Sequence, residues 1–558
     1  MLSNAAMQKT LLALAALLAS SSALADTLIS NVNGLQVGAD GKLHHFKALV
    51  VADDGKVRMT VEHPELVRLA GITSTIDGGG KTLLPGLIDA HGHIMGLGFA
   101  AIQLDLTGTA SVEQLKHRLK SYAEANPGDG WIIGRGWNQE LWAEKRFPTS
   151  ADLDAVVPDR PVWLTRVDGH AAVGNSAAMR AAGVAAETKA PSGGEIINGL
   201  FVDNATTLVE SKIPEPSAEI RDRALAEAQK AMLSVGLVGA ADMGTAKEDW
   251  DAMRRAGEAG SLNVRIISYA AAPENWRAIN GSKPTGWMYG DRLRLVGTKL
   301  YADGALGSRG AYLKAPYHDR PDTRGLRFHT DAELLAMAQE VASGGGQIAT
   351  HAIGDAANAQ VIGVYEQLTK TYGNARRWRI EHLQIADPKD LPRLKPAGII
   401  ASMQPTHQTS DRLMAEARLG PERLDGAYAW QTIAKMGVPL AFGSDFPVES
   451  PNPFPGLSAA VSRQDMNGQP PGGWRPQDRV SFELALAGFT RGAAYAGFAE
   501  GRIGSLEPGK WADFILVDRD VSKVDPQALA RTQVLETWVA GKKVWEPSAS
   551  GGGGERGR

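Results

Sequence analysis

Along the middle of the chain, short apolar runs alternate with stretches of helical length. The runs are Leu237 to Ala241, Val264 to Tyr269, Leu293 to Tyr301, Gln347 to His351, Arg379 to His382, Ile399 to Met403 and Leu440 to Ser444, and Leu83 to Ala90 makes eight. Such alternation reads as repeated βα units around a parallel sheet. One intervening helix carries its own start and stop signals. Thr330-Asp331-Ala332-Glu333 is a capping box, Leu334, Leu335 and Ala338 form an apolar face, and Gly344 ends it. Another ends at Gly437, just before the eighth run. Eight strands with helical crossovers predict an α/β fold, a closed (β/α)8 TIM barrel. An open doubly wound sheet is the competing architecture, but no G-x-G-x-x-G follows a strand.

The flanks break this rhythm. From Asp26 to about Leu83 the segments are short and β-like, and after Glu500 the chain becomes β-like again at Asp513 to Val517 and Gln533 to Val544, with a hairpin turn at Ala540-Gly541. Between the first two runs, Ala100 to about Arg223 exceeds one βα unit and reads as an inserted subdomain carrying Trp131, Trp137 and Trp142. At the N-terminus, Lys9, the apolar run Leu11 to Ala19 and Ala23-Leu24-Ala25 form a secretory leader cut before Asp26, which predicts periplasmic or secreted residence. No later stretch is apolar for long enough to span a bilayer. The predicted organisation is a leader at 1–25, a barrel over 84–499 with an insertion at 100–223, β-like flanks at 26–83 and 500–547, and a disordered Gly-rich tail at 548–558.

Composition narrows the chemistry. The 558 residues hold 59 Lys and Arg against 62 Asp and Glu, a net charge of −3, which gives no electrostatic footprint for nucleic acid. At 43% hydrophobic and 22% charged residues the chain has a globular composition with material for a large core, and its 63 glycines point to many tight turns. Cysteine is absent, so disulfides, thiolate metal sites and thiol nucleophiles are excluded. Catalysis must use His, carboxylates, Lys, hydroxyls or a cofactor.

The most informative segment is Leu84-Pro85-Gly86-Leu87-Ile88-Asp89-Ala90-His91-Gly92-His93. Positions i and i+2 of a strand share a side, so His91 and His93 can present two imidazoles to one point. An isolated H-x-H is weak evidence. Here His351 closes the fifth run, His382 the sixth and Asp445 the eighth. Histidines and a carboxylate at the C-terminal strand ends of a barrel match a divalent metal site at its mouth.

These motifs resemble the amidohydrolase superfamily of metal-dependent hydrolases. The first-strand segment through His93 and Gly443-Ser444-Asp445 look like its first- and eighth-strand signatures. Gly136-Trp137-Asn138, Leu153-Asp154-Ala155-Val156, Asp168-Gly169-His170 and Asn175-Ser176-Ala177-Ala178 are similar to the large-insert branch of YtcJ-like proteins and N-substituted formamide deformylases. Leu506 to Asp513 is similar to the segment that returns the chain to a small composite β-sandwich, whose other strands the N-terminal flank would supply. The resemblance implies that His91 and His93 hold one metal, His351 and His382 a second, and that Asp445 binds the first while serving as general acid and base. Lys299 then stands at the fourth strand end, where many members carry a carboxylated lysine. A carbamate can bridge two cations that an ammonium would repel. An ion pair of Lys299 with Asp303 is the bland alternative. One or two divalent ions are implied, two favoured, with zinc expected.

The function implied is hydrolysis of a C–N amide bond in an N-formyl or N-acyl amine or an amino-acid amide. Water activated by the metal attacks a polarised carbonyl, and Asp445 passes its proton to the leaving amine. A lactonase or esterase, a cyclic-amidine deaminase and a silent binding barrel are the alternatives. Single-metal deaminases of the superfamily place Glu three positions after the fifth-strand His, and here that position is Gly354. Candidate substrate contacts are Trp137, His170, Asp303 and Arg309, the last two also candidates to pair with each other. His407 lies beyond the seventh run, within possible reach of the mouth. The expected partner is a small-molecule substrate, and homo-oligomerisation is left open.

Overall fold

The structure, a computed structural model, describes residues 26–64, 71–166, 169, 171–185, 187–191 and 194–548. The predicted leader at 1–25, nearly all of the predicted tail, and His170 lie outside the described residues. The chain divides into two compact units, one made of 26–93 with 229–548 and the other of Ile94–Ala228.

The first unit contains the barrel. Its strands are β1 (Leu87–Gly92), β2 (Leu237–Thr245), β3 (Arg265–Ala271), β4 (Leu293–Tyr301), β5 (Gln347–Ala352), β6 (Arg379–His382), β7 (Ile400–Met403) and β8 (Leu440–Phe442). They form one eight-stranded sheet in sequence order, every neighbouring pair parallel. The strands are almost wholly buried, as expected where a parallel sheet is covered on both faces. The helix Asp331–Ser343 has both halves of its capping box, Thr330 accepting from the Glu333 amide and Glu333 from the Thr330 amide. The ring is stitched between its first and last strands. The Asp445 amide donates to His91 O at 2.7 Å and the His93 amide to Phe446 O at 2.8 Å.

The run from Leu83 to Ala90 is two strands rather than one. Residues Thr82–Pro85 join another sheet, and the barrel strand begins only at Leu87. That other sheet has six strands, in the order Lys542–Trp545, Val534–Val539, Phe514–Val517, Thr82–Pro85, Asn33–Val37 and Leu43–Phe46. A four-stranded sheet of Val57–Val61, Ala48–Val51, Asp26–Ser30 and Ile72–Asp77 packs with it around Ile29, Phe46, Leu49, Leu83, Phe514 and Trp538. Both ends of the described chain therefore contribute to one core. Phe514 and Trp538 stack there at 5.1 Å.

The second unit has its own mixed six-stranded sheet, running Gly194–Ile197, Leu200–Asp203, Ala171–Gly174, Val162–Arg166, Ile132–Trp137 and Leu104–Asp105. Its core includes Leu106, Leu115, Trp137, Trp142 and Leu164. It begins with the helix Ile94–Ile102, a few residues earlier than the predicted insertion at Ala100.

A buried ion pair ties barrel to sandwich in the first unit. Arg265, at the start of β3, donates to both carboxylate oxygens of Asp513 and to the backbone of Gly290 and Asp291, while Asp513 also accepts from the Ala540 amide. Removing one partner of such a pair strands the other charge away from water. Asp513→Ala is expected to lower unfolding stability by about 3–5 kcal/mol in a denaturant titration. An unchanged midpoint and slope would show that the pair does not hold the two layers together.

Candidate metal centre

The strand ends of β1, β5, β6 and β8 bring His91, His93, His351, His382 and Asp445 to one mouth. Potential ligand atoms of His91, His382 and Asp445, all buried, lie within 4.8 Å of one another. His93 is partly exposed, with Nε2 3.1 Å from Asp445 Oδ1. His351 packs against His382 with ring centroids 4.5 Å apart. The tightest triad thus takes one histidine from each of the two pairs suggested by resemblance.

Local sequence explains how these groups approach so closely. A side chain at Gly92 would strike the Phe446 ring within 2.4 Å, and one at Gly443 would come within 2.3 Å of Asp89 Oδ1. Glycine at both positions lets β1 and β8 meet. Asp89 then locks them, accepting from the amides of His91 and Ser444 and from Ser444 Oγ at 2.7 Å. Two of the candidate ligands sit in the left-handed region, His382 at φ 74° and Asp445 at φ 63°. Such torsions are costly for non-glycine residues and persist where surrounding bonds over-determine them. At Asp445 the bond from its amide to His91 O is one such restraint.

Second partners orient the imidazoles. Nδ1 of His91 donates to Glu381 Oε2 at 2.6 Å and Nδ1 of His382 to Gln404 Oε1 at 2.8 Å, so both rings turn Nε2 toward the mouth. Glu381 is also bound by Arg379, which reaches Ala90 O, Ser402 Oγ and Tyr269 Oη. Burial opposes the charge on Glu381, but the Arg379 guanidinium and the His91 bond outweigh it and hold the carboxyl well below its usual range. Burial and the Lys299 charge push His91 down to about 4 and His351 to about 3. Burial and the neighbouring rings carry His382 far below the ordinary value. All three rings are neutral at pH 7, the form a metal requires.

Asp445 remains anionic. Burial opposes this, but the surrounding imidazoles hold its pKa well below 3.8. Among the described residues, Asp445 Oδ1 and His351 Nε2 belong to the buried side-chain atoms with no hydrogen-bond partner of acceptable geometry, with His93 Nε2 3.1 Å from the first and Asp303 Oδ1 3.5 Å from the second. Buried polar atoms without partners are rare, and neutral imidazole nitrogens facing a carboxylate form a donor set suited to a divalent ion. The residues present therefore fit the metal that their pattern implies.

Lys299 is buried at the end of β4 with Nζ 3.1 Å from His91 Nε2, and burial pushes its pKa down to about 8. Asp303 is not its partner. The Asp303 carboxylate instead accepts from the amides of Tyr312, Ile353 and Gly354 and folds the loop after β4 onto β5. Nor do Asp303 and Arg309 pair, since Arg309 is bound to Asp319. Trp137 is wholly buried, its indole donating to Leu164 O and its ring packed beside Trp142 and Phe147, so its place is in a core rather than against a substrate. Reading the sequence missed Asp89, Arg379, Glu381 and Gln404. A signal was present in that charges at Arg379 and Glu381, two apart in a buried strand, must share a face and be satisfied there.

Comparison with known proteins places the chain in a family. The model of the Amidohydrolase family matches residues 74–545. The Bacillus subtilis (strain 168) protein YtcJ is 31% identical over 515 residues, covering 89% of this chain and 96% of that protein. The N-substituted formamide deformylase of Arthrobacter pascens is 26% identical over 558 residues, covering 94% of this chain and 99% of that enzyme. The crystal structure of a metal-dependent hydrolase from Pyrococcus horikoshii OT3 superposes with a TM-score of 0.77 at 28% identity, over 90% of this chain and 99% of that one.

Because Glu381 fixes the tautomer and aim of His91, Glu381→Gln is expected to weaken metal affinity by about 10–100-fold in a chelator competition. Unaltered affinity would remove Glu381 as the residue that positions His91.

Proposed function

This chain belongs to the amidohydrolase family, and from that premise we propose that it hydrolyses the C–N bond of a small amide, an N-formyl or N-acyl amine or an amino-acid amide. The observation that carries the reading is the Asp445 carboxylate. It is buried and ionised beside the neutral rings of His91 and His382, with Oδ1 3.1 Å from His93 Nε2. The near full-length likeness to a formamide deformylase supports an amide as the bond cut.

His91, His93, His351, His382 and Asp445 would hold one or two divalent ions, zinc being the expected metal, with Lys299 between them. A divalent ion bound there supplies Lewis-acid polarisation of a carbonyl and lowers the pKa of water from 15.7 to about 7. Asp445 accepts a proton from the attacking water and returns it to the leaving nitrogen. Its left-handed torsion presents the carboxylate from the turn after β8, alongside His93. Lys299 is prepared for carboxylation. With its pKa near 8, roughly a tenth of the amine is neutral at pH 7. The neutral nitrogen can attack CO2, forming an N–C bond and releasing a proton to leave an anionic carbamate. The leader sequence at 1–25 supports action in the periplasm or outside the cell.

Two measurements test the reading. A turnover screen of zinc-loaded protein against N-formyl amines, N-acyl amino acids, dipeptides, lactones and cyclic amidines should show hydrolysis of amides, and Asp445→Asn should stay folded while losing turnover by about 10³-fold or more. Asparagine tolerates the left-handed torsion, so this variant isolates the lost proton acceptor. Near-wild-type activity in Asp445→Asn, or turnover confined to lactones, would overturn the proposal. Metal analysis should approach two equivalents, falling in Lys299→Ala; unchanged stoichiometry would remove Lys299 as a bridge.

A further inference from the structure

One half-buried group at the mouth has no part in the steps above. His407 is the third residue of the helix Pro405–Leu419, which starts just beyond β7. Its ring stacks on His382, centroids 5.9 Å apart and planes 12° from parallel. Its Nε2 lies 3.8 Å from Asp445 Oδ2, beyond hydrogen-bond range, and has no partner. Two of the polar groups around it are already engaged. Gln404 Oε1 holds His382, and Gln384 Nε2 donates to Asp411 Oδ2 and to Tyr428 Oη.

The facing charge selects the tautomer. A lone pair on Nε2 would point at the anionic Asp445 and be repelled, whereas an N–H there is attracted. With its proton on Nε2, His407 presents a donor across a gap of 3.8 Å to the group that exchanges protons with the substrate. An amide whose nitrogen lies within reach of Asp445 carries one strong acceptor close by, its carbonyl oxygen, and negative charge grows on that atom during attack.

We propose that His407 donates its Nε2–H to the carbonyl oxygen of the scissile amide and stabilises the oxyanion of the tetrahedral intermediate. The assignment rests on the amide-hydrolysis reading. As the water oxygen bonds to carbon, the C=O π pair moves onto the oxygen facing His407. When the oxyanion collapses, the C–N pair leaves on nitrogen, which takes its proton from Asp445, and His407 keeps its own proton throughout. Its part is that of a fixed dipole.

The test compares His407→Ala and His407→Asn on the best substrate of the screen, with metal content and thermal midpoint measured in parallel. Alanine is expected to lower kcat by about 10²–10³-fold with a much smaller change in KM, while asparagine, which keeps a donor, recovers at least about tenfold of it. Metal content and midpoint should not move. A second readout needs no turnover. A phosphonate analogue of an N-acyl amine should bind His407→Ala about 10²-fold more weakly, and the free amine product within about threefold of wild type. Unchanged kcat, loss of metal in step with activity, or equal weakening of phosphonate and amine would overturn the assignment. If the same kcat loss appears on an ester while no amide is turned over, the amide reading falls and the role of His407 stands.

Discussion

The site depends on the bonds that close the barrel. Its candidate ligands come from strands far apart in sequence, and they converge only because β1 and β8 are drawn together at their C-terminal ends. Asp89 does this by gathering two backbone amides and the Ser444 hydroxyl onto one buried carboxylate, while the amide of Asp445 binds His91 O. Burial pushes the Asp89 carboxyl up to about 7, and a buried carboxyl is costly unless its oxygens find donors. Here the donors belong to the two strands being joined, so satisfying Asp89 and placing Asp445 beside His91 and His93 are one event. The glycines at 92 and 443 are required because any side chain would occupy the space this closure uses.

Charge inside the barrel is balanced along a chain of contacts. Arg379 compensates Glu381, Glu381 orients His91, and His91 faces Lys299 and Asp445. Each link lies in low dielectric, where an unmatched member would cost several kcal/mol. The consequence at the mouth is a set of neutral imidazoles beside an ionised carboxylate and an amine of lowered basicity. The neutral imidazoles and the ionised carboxylate suit metal capture at neutral pH, and both follow from burial and partner geometry.

Much of this was legible in the sequence because strand ends in a barrel point to one place. The alternation of apolar runs gave the eight strands, and the chemistry at their ends marked His91, His93, His351, His382 and Asp445. Gly86 was harder to interpret. The continuous apolar run across it concealed a strand change, since a sandwich strand and a buried barrel strand have the same hydrophobicity. The partners of Trp137, Asp303 and Arg309 were not legible, for a common reason. Aromatic and charged residues near motifs attract functional readings, whereas their partners, Leu164 O, three loop amides and Asp319, are set by tertiary contacts that sequence spacing does not encode. His407 has no strand-end position, and only the three-dimensional path of the helix after β7 brings its ring onto His382.

The sheet that unites both ends of the chain bears on how the molecule is made. Thr82–Pro85 pairs on one side with Asn33–Val37 and on the other with Phe514–Val517, more than four hundred residues later. At synthesis rates of about 5–20 residues per second, the first strands wait roughly 20–90 s before their neighbour emerges. Throughout that interval Thr82–Pro85 has an unpaired edge and an incomplete apolar face, the features that invite aggregation. The final assembly step is therefore a long-range docking of the last strands onto the first. Loss of the last fifty residues would leave the barrel strands intact in sequence and the sandwich without half of its larger sheet.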